Sequence, residues 1–364
     1  MTDLQQPMLE PAGSPTPDRP DDRGLHRRWR FPSWSGALVA LVILVAATAY
    51  SEPKFLQLSN ILNILDQNAA VGIVAVGMTL IITLGGIDLS VGSLVALAGG
   101  LGILTMNRLY DKPTGNAAET YAPVLAAAGA TIGVGLLAGL LNGVLITKGR
   151  IAPFIATLAG LLIYRSSAMW IARGGQFFSE GSELFANLGN GFDIPGTNIS
   201  RNRRRVVPME FPYAIAVWAA LAFVAAVLLN RTRLGRYIVA IGNNERAARY
   251  SAVSVDRVKI IAYTLLGGIT GIAALMNAAN YTSVNSANTG ILLELDAIAA
   301  VVIGGTRMEG GAGSIMGTVI GVLLLGVIRN AMVMYNIDIY AQGIVTGGII
   351  IAAVLLQRAG ARRA

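Results

Sequence analysis

Ten apolar segments follow one another along this chain, at about 35–51, 63–84, 89–106, 122–147, 151–172, 211–229, 258–278, 292–305, 312–330 and 339–357. A helix that crosses a bilayer needs roughly 20 predominantly apolar residues, with about 17 as the lower bound. Most segments meet that length. Those near 89–106 and 292–305 are short or interrupted by glycine, which predicts broken or half-spanning helices. Charged residues make up 13% of the 364 positions, against about 25% in a soluble domain. Too few polar side chains remain to cover a surface in water, so the solvent for most of the chain is lipid. The apolar runs lack the alternation of barrel strands. The predicted fold is therefore all-α, a polytopic membrane protein with about ten transmembrane helices.

The 43 glycines fit that solvent. Glycine inside a helix costs about 1 kcal/mol in water, but in a bilayer it lets helix backbones approach closely. Gly135, Gly139 and Gly143, then Gly267 and Gly271, then Gly313, Gly317 and Gly321 recur every fourth residue in or beside apolar segments. That spacing predicts helix-to-helix contacts.

Several chemistries are excluded. The chain has no cysteine, hence no disulfide and no Cys-ligated zinc or iron–sulfur site. Its one histidine, His26, sits in a basic stretch ahead of the first apolar segment. Neither a metal, a cofactor nor a histidine-based catalytic centre is expected. No Gly-x-x-x-x-Gly-Lys-Ser/Thr phosphate loop occurs, so any ATP hydrolysis must come from another chain.

The net charge of +8 is placed for membrane orientation rather than for nucleic acid. With the amino terminus inside and ten crossings, 18 of the 28 Lys and Arg residues fall on the cytoplasmic side. This satisfies the positive-inside rule, with both termini cytoplasmic in the inner membrane. Arg203-Arg204-Arg205 runs against it. Residues 1–34 hold six prolines and many charges and read as a disordered cytoplasmic tail. Ala47-Thr48-Ala49 resembles a cleavage site, but the long polar region before it favours an uncleaved first helix. Residues 35–357 then form the membrane domain, with an extracytoplasmic loop at 173–210 and a cytoplasmic loop at 230–257. A basic cytoplasmic end follows at 358–364.

Two stretches carry distinctive residues. In Gly85-Gly86-Ile87-Asp88-Leu89-Ser90-Val91-Gly92-Ser93 the glycines permit a sharp turn, and Asp88 or Ser90 can cap the next helix. This is either a break in the membrane helices or an ordinary hairpin. Residues 243–253 suit a short helix, with Asn243 as the cap, Glu245 in its first turn and Ala247, Ala248 and Tyr250 as a compact face. It is either a solvated loop helix or one that docks into a soluble partner. Within the apolar segments lie Gln67, Asn68, Asn142, Arg165, Glu294, Asp296 and Arg329. Such groups face a cavity or a partner, or lie at the membrane boundary. A mostly uncharged polar lining suits a neutral, hydroxyl-rich solute. No run of several acidic residues follows one span, which disfavours an ion-coupled secondary transporter. A membrane enzyme lacks a catalytic constellation.

These motifs resemble those of a known family. Gly85 to Ser93, Asn142-Gly143 with Pro153-Phe154-Ile155-Ala156-Thr157-Leu158, and Leu234-Gly235-Arg236-Tyr237 with Gly242-Asn243-Asn244-Glu245 occur in order. Glu294 to Thr306 completes the set. From about 36 to 357 the chain resembles the permease subunits of ribose, xylose, arabinose and galactose ATP-binding-cassette importers. The resemblance implies a homodimer, an ATPase subunit on the cytoplasmic face and a periplasmic or lipid-anchored sugar-binding protein outside, with no enzyme activity in this chain. It also makes Gly242, Asn243, Asn244, Glu245, Arg246, Ala247, Ala248, Arg249 and Ser251 the ATPase-coupling element. Asn68, Asp88, Ser90, Ser93 and Asn142 are the expected path residues. Two departures stand out: Ser251-Ala252-Val253 replaces a common Ser-Gly-Ile, and the 173–210 loop is atypical. Nucleoside, inositol and branched-chain amino acid remain alternative solutes to a pentose or hexose.

Overall fold

The computed structural model describes residues 32–111, 120–202, 205–338, 340–349 and 351. The expected tail before residue 32, with His26, lies outside them, as do Arg203, Arg204, residues 352–357 and the basic end at 358–364.

Helices form where the hydropathy places them. In chain order these are α1 (Ser35–Ser51), α2 (Leu58–Thr83), α3 (Val91–Leu109), α4 (Ala122–Thr147), α5 (Pro153–Ile171), α6 (Glu183–Gly189), α7 (Tyr213–Arg231), α8 (Arg233–Asn243), α9 (Glu245–Tyr250), α10 (Val255–Tyr281), α11 (Leu293–Ile303) and α12 (Ile315–Met334). Residues 340–349 are helical as well. Among the described residues seven helices (α2, α3, α4, α5, α7, α10 and α12) are long and apolar enough to cross a membrane. α1, with 17 residues, sits at the lower bound.

The segment at 292–305 is half-spanning, as expected. α11 has 11 residues, a rise of about 16 Å against a hydrocarbon core of about 30 Å. The segment at 89–106 is not broken. α3 runs unbroken for 19 residues, because its glycines serve packing: Gly99 lies against Val284 and Gly100 against the Phe177 ring. The irregular stretch lies just ahead of it, at Gly86–Ser90.

α2, α3, α10 and α12 hold most of the buried residues. By contrast α4, α5 and α7 turn Leu125, Leu137, Ile155, Leu162 and Phe223 outward, the composition of a lipid-facing wall. α4 and α10 pack antiparallel along their glycines. A Cβ at Gly135 would collide with the Gly267 carbonyl, at Gly139 with the Tyr263 carbonyl, and at Gly143 it would stand 2.9 Å from the Ile260 Cα. Gly317 and Gly321 of α12 meet Gly304 and the Ala300 carbonyl in the same way.

Among the described residues four strands lie outside the apolar pattern. β1 (Gln176–Phe178) pairs antiparallel with β4 (Ser283–Asn285), Gln176 opposite Asn285. β2 (Gly191–Asn202) pairs antiparallel with β3 (Arg205–Pro212). The all-α reading therefore describes the bundle, while the 173–210 loop folds as a helix and strands. Ser182 caps α6 there, its Oγ accepting from Phe185 N at 3.1 Å. The connections sort by end. The α2–α3 link, α8 and the α11–α12 link meet at one end, while β1, β4 and α6, packed on the last turn of α10, gather at the other.

Candidate functional site

Two non-helical segments meet inside the bundle. The first, Gly86–Ser90, rises from the end of α2. The second, residues 286–292, descends from β4 to α11. They converge at the head of α3, where a Cβ on Gly92 would collide with the Gly290 carbonyl and the Glu294 carboxyl group. Gly290 stands at φ +73°, which glycine adopts without strain. Backbone without regular hydrogen bonds is tolerated at membrane depth only where protein buries it or where it lines a cavity.

Asp88 is the centre of the first segment and is buried. Its Oδ1 accepts from Ser90 N at 2.8 Å and Ser90 Oγ at 2.6 Å. Asn142 on α4 donates Nδ2 to Asp88 Oδ2 at 3.2 Å and to Ser90 Oγ at 3.0 Å. The capping expectation is thus half right. Asp88 does accept a backbone N–H, but of Ser90 rather than of the helix interior, and Ser90, at the cap position, caps nothing with its side chain. Gly160 on α5 packs on Ser90 Cβ, 3.1 Å from where its own Cβ would stand. Tyr263 on α10 donates weakly to the Ile87 carbonyl at 3.4 Å. Sequence reading brought forward Asp88, Ser90 and Asn142, and the fold joins them. Tyr263 and Gly160 were missed; a tyrosine in an apolar span was the available signal for the first.

Ser93 and Asn68 do not join this cluster. Ser93 is buried one turn into α3. Asn68 lies against Gly326 of α12 and donates to its own helix, to the Ile64 carbonyl at 2.7 Å. Gln67 is exposed. Arg165, Asp296 and Arg329 are tied to protein groups. Arg165 Nη1 on α5 donates to the carbonyls of Ser286 at 3.0 Å and Thr289 at 2.8 Å, strapping the second segment to the wall. Arg329 on α12 forms an ion pair with Asp296 on α11.

At the end that carries α8 and α9, the loop helix is shorter than the expected 243–253. Asn244, not Asn243, caps it: Asn244 Oδ1 accepts from Ala247 N at 3.0 Å. Asn243 closes α8 instead and donates Nδ2 to the Gly311 carbonyl at 3.2 Å. The compact face is divided. Ala248 is buried, whereas Arg246, Ala247, Arg249 and Tyr250 face outward, Tyr250 at 92% exposure. Glu245 also turns inward, accepting from Lys259 Nζ of α10 at 2.8 Å and from Arg249 at 3.1 Å. The Lys259 hydrogen bond, aided by Arg249, holds the Glu245 carboxyl below the usual carboxylate range. Ser251 N donates to the Ala247 carbonyl at 3.0 Å, and Val253 N closes the helix end on the Ala248 carbonyl at 3.1 Å. Between them Ala252 stands at φ +60°.

α8 is welded to the core just beside this helix. Gly311 N donates to the Thr83 carbonyl at 2.8 Å, and a Cβ at Gly242 would collide with both of those groups. The last turn of α2, the end of α8 and the α11–α12 link therefore meet backbone to backbone.

Residues 60–354 match the model of a family described as branched-chain amino acid transport system, permease component. The chain belongs to this permease family. The ribose import permease protein of Escherichia coli (strain K12) is 36% identical over 338 residues, 91% of this chain and 96% of the relative. The L-arabinose ABC transporter permease protein of Azospirillum brasilense is 31% identical, covering 98% of this chain and 97% of its own. The galactose/methyl galactoside import permease protein of Salmonella typhimurium is 33% identical, covering 90% and 95%. No solved structure matches. The chain is a multi-pass membrane permease component and so a transporter part rather than an enzyme. Family membership agrees with the ten-helix reading.

Proposed function

We propose that this chain is the membrane-spanning half of an ATP-driven importer that carries a monosaccharide across the inner membrane. An extracytoplasmic binding protein delivers the sugar, and a separate ATPase subunit acts at the α9 end. Two copies form the path. The observation that carries this reading is the meeting of two non-helical segments at Gly92 and Gly290 within an apolar bundle. Irregular backbone at that depth is the structural mark of a transport path. The ribose, arabinose and galactose relatives support a sugar as cargo.

In this reading α9 is the coupling element, seated through Ala248 and Glu245 and offering Arg246, Arg249 and Tyr250 to the ATPase. ATP binding closes the ATPase domains and moves α9. The Gly242–Thr83–Gly311 contact carries that motion to the ends of α2 and α11. Both segments that meet at Gly92 and Gly290 then shift together. Asp88, Ser90 and Asn142, whose carboxyl, hydroxyl and amide groups bond one another, stand beside the path, and Ser93 and Asn68 stand further off.

Reconstitution tests the proposal. Purified permease, ATPase and binding protein in sealed vesicles are expected to accumulate sugar only with ATP, and leaving out either partner abolishes it. Uptake by the permease alone, or uptake that collapses with an ion gradient while ATP persists, sinks this reading.

A further inference from the structure

The geometry points to a monosaccharide-binding cleft within a single chain, at the end of the bundle opposite α9. This rests on the import reading above and specifies where the sugar first meets the permease. A cleft of about 270 Å³ opens there, close to the lower end of the roughly 300–1,000 Å³ typical of small-molecule sites. Gln176 of β1 and its cross-strand neighbours Ser283 and Asn285 of β4 line one side, and Asn277 and Tyr281 of α10 line another. Thr289 and Gly290 form the floor.

The polar groups divide into two sets. Those of the loop are already committed to shaping it. Asn285 Oδ1 accepts from Ala287 N at 3.0 Å and Asn288 N at 2.8 Å, and Thr289 Oγ1 accepts from Asn285 N at 3.0 Å. Ser283 Oγ is committed too, donating to the Tyr281 carbonyl at 3.0 Å, whereas among the described residues the side chains of Gln176, Asn277 and Tyr281 have no protein hydrogen-bond partner. Two carboxamides and a phenol thus face one space, each able to donate and accept. A carboxamide does both at once, which matches neighbouring hydroxyls on a sugar ring, and the Tyr281 ring offers an apolar face to the sugar's C–H groups.

Among the described residues no charged side chain lines the cleft. An amino acid would have to shed water from its ammonium and carboxylate groups with no countercharge in return, whereas a neutral polyol exchanges water hydroxyls for amide and hydroxyl partners. The lining therefore selects a neutral sugar over the amino acids in the family's description.

The cleft is also held in place. Arg165 straps its floor through the Ser286 and Thr289 carbonyls. Ser286 Oγ donates to the Gly175 carbonyl at 2.7 Å, fixing the loop to the strand that carries Gln176. The floor residue Gly290 is the one that touches Gly92, two residues from Ser90 of the interior cluster. A sugar seated here stands directly above the junction that has to open.

The test uses the full importer in vesicles, with uptake of D-ribose, L-arabinose, D-xylose, D-galactose and L-leucine measured separately. Gln176→Leu, Asn277→Leu and Tyr281→Leu remove groups that hold nothing in the fold. Each is expected to lower uptake of the accepted sugar by about tenfold, with ATPase and binding-protein attachment unchanged. Asn277→Gln, which keeps the carboxamide, restores uptake to within about threefold. Wild-type uptake in all three leucine variants overturns the cleft and leaves the import reading standing. Parallel loss of attachment assigns the residues to the fold and also overturns it. A wild-type importer that moves L-leucine, or none of the four sugars, removes the import reading and the cleft with it.

Discussion

Asn142 reaches from α4 to hold both Asp88 Oδ2 and Ser90 Oγ with a single amide nitrogen, at 3.2 and 3.0 Å. All three residues are buried, so the loss of that donor leaves acceptors without water to replace it. Asn142→Leu is expected to destabilise the bundle by about 1–3 kcal/mol, read as a lower melting temperature in detergent. An unchanged melting temperature would show that the cluster holds nothing together.

Ala252 occupies a position built for glycine. Its φ of +60° costs a residue with a Cβ about 1 kcal/mol, and the Val253-to-Ala248 hydrogen bond fixes the chain in that turn. Ala252→Gly should therefore strengthen the end of α9. Hydrogen exchange of the Val253 amide is expected to slow by about fivefold at that energy, and faster exchange would contradict the turn.

The Glu245–Lys259 tie is pH-dependent in one direction. Its carboxyl is held below the usual range, so the tie is complete above the unfolded value of about 4.3 and is lost only as pH falls through the lower folded value. Glu245 is 44% exposed, so the contribution is at most a few tenths of a kcal/mol. Protection of α9 is expected to stay flat from pH 8 to 5 and to fall below about pH 4. Glu245→Gln should reproduce the low-pH state at neutral pH; a midpoint near pH 6 would refute the assignment.

Gly242 sits where any Cβ would strike the Thr83 carbonyl and the Gly311 amide. Gly242→Ala must separate α8 from α2, a strain of about 1–3 kcal/mol. Under the proposed function, sugar uptake falls while ATP hydrolysis in the partner continues. Uptake at the wild-type rate would remove this contact from the coupling route.

Tyr250 is an aromatic side chain left almost wholly in solvent beside Arg246 and Arg249. Tyr250→Ala is expected to weaken ATPase attachment by tenfold or more, as buried aromatic anchors do at interfaces, without changing the melting temperature. Ala248→Trp acts differently: Ala248 is buried, so a large ring there unseats α9 itself. Attachment unaffected by Tyr250→Ala would move the docking face elsewhere.

Much of this fold is legible one residue at a time, because lipid makes hydropathy nearly sufficient. The apolar segments became helices, and Gly135, Gly139 and Gly143 became the surface of α4 that meets α10. What failed did so where partners are remote. Asn243 and Asn244 are equivalent as caps until Gly311, 68 residues on, claims the first. Gly99 and Gly100 look like helix breakers until Val284 and Phe177 fill the space beside them.

The sequence by itself determined the solvent, the place of the long apolar helices, and the absence of cysteine- or phosphate-loop chemistry, since each depends on composition and local spacing. Only the tertiary structure decided that Asp88 meets Asn142, that Arg165 straps the Ser286–Thr289 turn, and that Gln176 and Asn277 share one cleft. Those pairings join residues up to about 120 positions apart. They are set by which glycines let which backbones touch, a property of packed helices that no single segment contains.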